Sequence, residues 1–139
     1  MKITVTKDIP EDRIKGLLCC GMEGGIDYWA EFVRYEYGSG FCKEDFKEGG
    51  KMTDPNDYWH PDQIIPLAEG CSVVFREAND VQDDSAEEWK LNLDSIIKGL
   101  QIMTDKYPEH AANFLEENED AETGDVFIQC CLFGEIVYG

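Results

Sequence analysis

The run Val126–Tyr138, VFIQCCLFGEIVY, decides how this chain folds. Only Gln129, Gly134 and Glu135 interrupt its apolar character. It is too short to span a bilayer, which needs about 20 apolar residues. A segment that is apolar on every side is a core helix or a central strand, so the other elements are expected to wrap it. Thr123 stands ready to cap it as a helix. Asp125 then falls in the first turn, where a carboxylate suits the helix dipole.

Charge supplies the second constraint. Thirty Asp and Glu against 12 Lys and Arg give −18 on 139 residues. Such a surface repels phosphate, which argues against direct nucleic-acid binding and against an anionic membrane face. A protein with a basic surface is the partner it meets fastest. Past Lys106 there is no Lys or Arg, while Glu109, Glu116, Glu117, Glu119, Asp120, Glu122, Asp125 and Glu135 follow. If the terminal run is buried, this charge crowds the turn before it. Glu116, Glu117, Glu119, Asp120 and Glu122 are therefore the expected docking face, with a purely solubilising face as the plainer alternative.

A hydrophobic fraction of 42% with 12% aromatics excludes a disordered chain, and this length suits one domain. Cys19, Cys20, Cys42, Cys71, Cys130 and Cys131 include two adjacent pairs on apolar segments, where a free thiol acts as a small hydrophobe. No C-x-x-C occurs and only His60 and His110 are available, so a zinc site is not expected. Met1-Lys2 runs straight into a strand-like pattern without a signal-peptide core, and a reduced, cytoplasmic protein is the expectation. An EF-hand read from Asn118 fails, because Thr123 and Gln129 occupy the positions that need glycine and glutamate. A non-standard divalent site at Glu116–Asp125 stays open beside the plainer acidic turn. No metal and no cofactor are expected.

Working outward, Lys2–Thr6 alternates and is β-branched, which predicts a strand burying Ile3 and Val5. Asp8 is placed to cap a helix whose inner stripe is Ile14, Leu17, Leu18 and Met22, and Gly24-Gly25 end it. Gly16 and Gly21 imply close packing against a neighbour. Tyr28–Tyr37 reads as the strongest strand. Residues 41–61 are irregular, and Phe41, Phe46, Tyr58 and Trp59 suggest that this loop folds over something. Gln63–Leu67 and Cys71–Arg76 read as a β-hairpin about Glu69-Gly70, with Pro66 at an edge. Glu77, Asp80, Asp83, Asp84, Glu87 and Glu88 form an acidic turn, from which Trp89, Leu91 and Leu93 return a strand. Asn92 or Asp94 caps a helix carrying Ile96, Ile97, Leu100, Met103 and Tyr107. Pro108 closes that helix and a short one with Ala111, Phe114 and Leu115 follows. The expected fold is a single α+β domain over 1–139. It holds an antiparallel sheet of about four to five strands packed against C-terminal helices. Its middle, about 38–90, is partly irregular.

Gln129 and Glu135 lie among apolar neighbours, and a buried carboxylate or amide must find partners. The plain reading puts Glu135 near the surface and lets Gln129 satisfy backbone groups. The sharper one makes both the floor of a ligand pocket, with Glu23, Gly24, Gly25, Tyr28, Trp29 and Asp125 around it. No nucleophile elbow, P-loop, H-E-x-x-H or dinucleotide fingerprint occurs, so no catalytic residue is assigned.

The segments Leu17–Trp29 (LLCCGMEGGIDYW) and 99–139 carry two further motifs. Glu23, Gly24, Gly25, Tyr28 and Trp29 stand as E-G-G-x-x-Y-W. Asp120, Ala121, Thr123, Gly124, Asp125, Phe127 and Gln129 stand as D-A-x-T-G-D-x-F-x-Q. In these the chain resembles a group of small acidic proteins encoded by tailed phages and prophages. The resemblance implies a setting, an accessory protein inside a bacterial host cell, and carries over no functional residue. The leading expectation is a non-enzymatic inhibitor that binds a host defence or nucleic-acid-binding protein through an acidic face. The alternative is a binder that sequesters a nucleotide immune signal, with Tyr28, Trp29, Phe41 and Trp59 stacking and Arg34 or Arg76 holding phosphate. A metal-dependent enzyme using Glu23, Asp125 and Glu135 is the third reading.

Overall fold

The chain closes around helix α5, Ala121–Phe133, whose residues 123–130 are all buried. The computed structural model describes residues 1–57, 59–79 and 83–139, so Tyr58 and Asp80 lie outside the described residues. Asp120, not Thr123, caps α5. Its carboxylate accepts from the Thr123 backbone N–H at 2.9 Å and from the Thr123 hydroxyl at 3.1 Å. The apolar run is two pieces rather than one. Gly134 adopts a left-handed conformation (φ 75) and stops the helix, and residues 135–139 continue without regular structure.

Helix α1, Glu11–Cys20, follows Pro10, and no side chain caps it, so the Asp8 cap is not made. It runs into a π-helical turn, Gly21–Gly25, where the Ile26 N–H donates to the Gly21 carbonyl. Gly21 is a packing glycine, as its position suggests. A Cβ there would stand 2.8 Å from the Gly124 carbonyl oxygen of α5. Gly16 has no such neighbour. Helix α2 is the short Pro61–Ile64, α3 spans Leu93–Lys106 and α4 spans Pro108–Leu115. Asn92 and Ser95 cap α3 reciprocally, and Gly99 lets it lie against Cys131 of α5. Full burial of Phe127, Ile128, Leu17 and Leu18 at the α1–α5 contact contributes roughly 1.5–3 kcal/mol per side chain.

Among the described residues the sheet has three antiparallel strands, not four to five: β1 Ala30–Glu36, β2 Ser72–Glu77 and β3 Trp89–Leu91, in the order β1-β2-β3. A register shift between Phe32 and Arg34 bulges β1 at Val33. Val73 and Phe75 of β2 enter the core with Leu91. Val74 and Arg76 alternate to the other face, where the cross-strand neighbours of Val74 are Arg34 and Lys90.

Two expected strands are absent. Among the described residues Lys2–Thr6 pairs with no strand, and Ile3 and Val5 are 74% and 84% exposed. β-branched alternation qualifies a segment for a sheet without supplying the neighbour it needs. Gln63–Leu67 is not the arm of a hairpin. His60 and Pro61 start α2 there, with His60 Nδ1 accepting from the Asp62 N–H at 3.2 Å, and a 3-10 turn over Ile65–Leu67 follows. A proline at the first helical position favours that choice, and Pro66 could not donate to a ladder. The irregular loop does fold over the core. Phe46 is buried between Tyr37 and Phe41, and Trp59 packs against the same cluster.

Candidate functional site

Asp125 and Gln129 lie one turn apart on α5 and therefore share a face. Tyr28 and Trp29 arrive from the turn that leads into β1. The Asp125 carboxylate is almost fully buried and accepts three hydrogen bonds. They come from the Tyr28 hydroxyl (2.6 Å), Trp29 Nε1 (2.8 Å) and Gln129 Nε2 (2.9 Å). Among the described residues no Lys or Arg pairs with it. Neutral donors thus do the work that a cation does elsewhere. Burial first, and the neighbouring Asp125 second, push the Tyr28 phenol up to about 12.

Gln129 uses the rest of its amide on the chain after Gly134. Its Oε1 accepts from the N–H groups of Val137 (2.7 Å) and Tyr138 (2.9 Å), and its Nε2 donates to the Tyr138 carbonyl (3.1 Å). The Tyr138 ring then stacks on Trp29, 4.9 Å between centroids and 7° from parallel. Trp89 and Phe133 complete the aromatic group, and the Tyr138 hydroxyl donates to Glu77 at 3.1 Å. This is a clasp: a buried polar pair on α5 holds the last described segment over an aromatic floor.

Of the expected pocket residues, Tyr28, Trp29, Asp125 and Gln129 come together. Gly25 lies beside them, close to the Ala121 carbonyl. Glu23 and Glu135 do not join. Both are exposed, Glu23 at the π-helical turn and Glu135 just beyond Gly134. Gly24 is exposed too, at a positive φ of 115. Trp89, Phe133, Tyr138 and Glu77 were not legible as partners, since they come from separate elements. Tyr138 left one trace, an aromatic placed just after a helix-ending glycine.

The polar atoms of Asp125 and Gln129 are spent inside the chain, and two concave surfaces lie elsewhere. One depression of about 300 Å³ sits between α1 and the irregular loop, lined by Asp12, Lys15, Lys51, Asp54, Asp57 and Trp59 among others. Another, about 410 Å³, is bordered by Lys7, Arg13, Phe114, Leu115, Glu116 and Glu117.

At the acidic turn between α4 and α5, Arg13 bonds Glu119 at 2.6 Å, approaches Glu117 at 3.7 Å and donates to the Phe114 carbonyl. Burial pulls the Glu119 carboxyl upward, but the Arg13 hydrogen bond, a backbone N–H and the Arg13 charge together hold it below the usual range. Asp120 is also held low, first by the Thr123 N–H and then by its hydroxyl. Glu116, Glu117 and Glu122 remain exposed.

On the outer face of the sheet, Arg34 bonds Glu88 (2.5 Å) and Glu36 (3.0 Å), Arg76 bonds Glu88 (3.0 Å), and Lys90 bonds Glu36 (2.8 Å). Arg34 and then Arg76 hold the Glu88 carboxyl down to about 2. The six cysteines are free thiols, and burial raises Cys130 to about 11 and Cys131 well above the ordinary thiol value. Among the described residues no group of three or more His, Cys, Asp or Glu is arranged to hold a metal ion, Glu23, Asp125 and Glu135 included. None of their helices is long and apolar enough to cross a membrane.

Comparison with family models, with curated proteins and with solved structures returns no match.

Proposed function

We propose that this chain is a non-enzymatic binding protein that docks on a basic surface of another protein through the turn between α4 and α5. The observation that carries the reading is the set of exposed carboxylates at Glu116, Glu117 and Glu122, fixed on helix ends. Arg13 and Asp120 pin that turn from within, so the charges are presented on a defined backbone rather than a loose tail. Preorganised charge of one sign speeds encounter and selects partners of the other sign. In the setting that the two motifs imply, the partner is a host protein of the bacterial cytoplasm, a defence factor or one that grips nucleic-acid phosphates. The protein then acts as an accessory inhibitor.

The nucleotide-sequestering alternative draws less support. Trp29 is buried under Tyr138, and Arg34 and Arg76 already bond Glu88.

Pull-down from bacterial lysate at rising ionic strength tests the docking reading, run with the wild type and with E116K/E117K/E122K. The expected result is a bound partner that is lost both in high salt and in the charge-reversed variant. Retention that ignores both rejects the acidic face.

A further inference from the structure

Residues 1–7, MKITVTK, are exposed along their whole length and form no strand or helix. They alternate, they are rich in β-branched residues, and Met1, Ile3 and Val5 are exposed at 114%, 74% and 84%. A strand-forming segment with exposed alternating apolar side chains can pair with a free sheet edge.

The sheet has an opening of the right kind. Among the described residues strand β1 pairs with β2 on one side only, and residues 31–36 all keep some exposure, while the central β2 residues Val73 and Val74 keep none. Phe32 of β1 is 46% exposed and offers an apolar neighbour for Ile3 or Val5. An edge strand with unpaired backbone groups is a template for an added strand. The five residues Lys2–Thr6 extend about 17 Å, within the roughly 23 Å of β1's seven residues, and β3 offers only three.

Charge says what the occupant is. Residues 1–7 contain Lys2 and Lys7 and no carboxylate, in a chain whose total is −18. Glu31 lies on β1 itself, where Glu36 is already bonded by Arg34 and Lys90. A basic strand on an acidic body fits a second copy of the same body. Pro10 and α1 direct this arm toward Arg13, Phe114 and Glu117, where Lys7 lines the depression at the end of α4, and among the described residues no strand of the same copy lies on the outer side of β1. We propose that residues 2–6 act as an exchange arm that adds, as a fourth strand, to the β1 edge of a second copy. Reciprocal exchange closes a two-fold dimer. The bulge at Val33 shortens the ladder, so the dimer is reversible and salt-sensitive.

Sedimentation equilibrium of the full chain over a range of concentrations tests this, with I3D/V5D, T4P and K2E/K7E beside the wild type. Residues 1–7 are all exposed, so circular dichroism and the melting temperature should not change. The expected result is a concentration-dependent dimer, weakened about tenfold or more by each variant. Salt should weaken the wild-type dimer and leave K2E/K7E, already impaired, little changed. Hydrogen exchange should show the amides of 31–36 protected in the dimer and released in T4P. A chain that stays monomeric at every concentration overturns the proposal. So does a dimer that survives all three variants, or one that leaves 31–36 unprotected.

Discussion

Asp125 and Glu88 are two carboxylates settled in opposite ways. Asp125 is buried, has no cation, and is held by a phenol, an indole and an amide. Glu88 lies at the sheet surface between Arg34 and Arg76. Water screens the Arg34–Glu88 pair, although Arg76 is itself buried, while the Asp125 carboxylate is nearly shut off from solvent, so formal charge and structural weight do not run together. In a chain of −18, Asp125 is a buried carboxylate that no Lys or Arg answers among the described residues.

The sharpest way to break this contrast is Trp29→Ala, which removes an indole from the floor of the clasp and its donor to Asp125. It should cost about 3–5 kcal/mol in urea denaturation. Asp125→Ala comes next, at about 2–3 kcal/mol, because the Trp29 and Gln129 N–H groups lose a buried acceptor. This loss should persist in molar salt. If salt erases it, Asp125 is a surface charge and the contrast fails. Tyr138→Ala should cost about 1 kcal/mol, for the lost stack on Trp29, and should make residues 134–139 more sensitive to proteolysis.

The Glu88 site should respond to solution conditions instead. Its folded carboxyl sits near 2, below the ordinary carboxylate range. Its contribution is therefore present above the unfolded value near 4.5 and is lost as pH falls from there through 2. Glu88→Gln should differ from wild type at neutral pH and low salt, and the two stabilities should converge in acid and in high salt. The smallest effect is spectroscopic. Tyr28, raised to about 12, stays a neutral donor when ordinary phenols ionise near 10, so any stability it lends declines between those values. Tyr28→Phe should remove a late-titrating phenol from the tyrosine NMR titration.

The longer helices were readable because they carry their own punctuation, whereas the sequence of the short α2 reads as a hairpin arm. Asn92 and Ser95 bracket the start of α3, Pro108 separates α3 from α4, and Gly21 announces a close approach that Gly124 completes. The candidate site was readable in part. Tyr28, Trp29, Asp125 and Gln129 stood out as polar or aromatic groups beside apolar runs, and they do meet. Glu23 and Glu135 looked similar but sit where the backbone turns outward, at the π-helical turn and beyond Gly134. Strands were harder. Lys2–Thr6 has every local mark of a strand and no partner, and Gln63–Leu67 has the apolar run but a helix-starting proline before it.

What the amino-acid order determined alone is local: the Asn92 cap, the breaks, the apolar stripe of α1, the buried run in α5 and the excess of carboxylates after Lys106. These depend on residues within a turn or two of one another. Which strands find neighbours, and which polar side chains share a burial site, depended on contacts between residues far apart in the chain. Tyr28 and Asp125 stand 97 positions apart, and no local pattern records that they meet. The decision belonged to packing, because an exposed strand or an unpaired buried carboxylate is costly only once the rest of the fold has put it there.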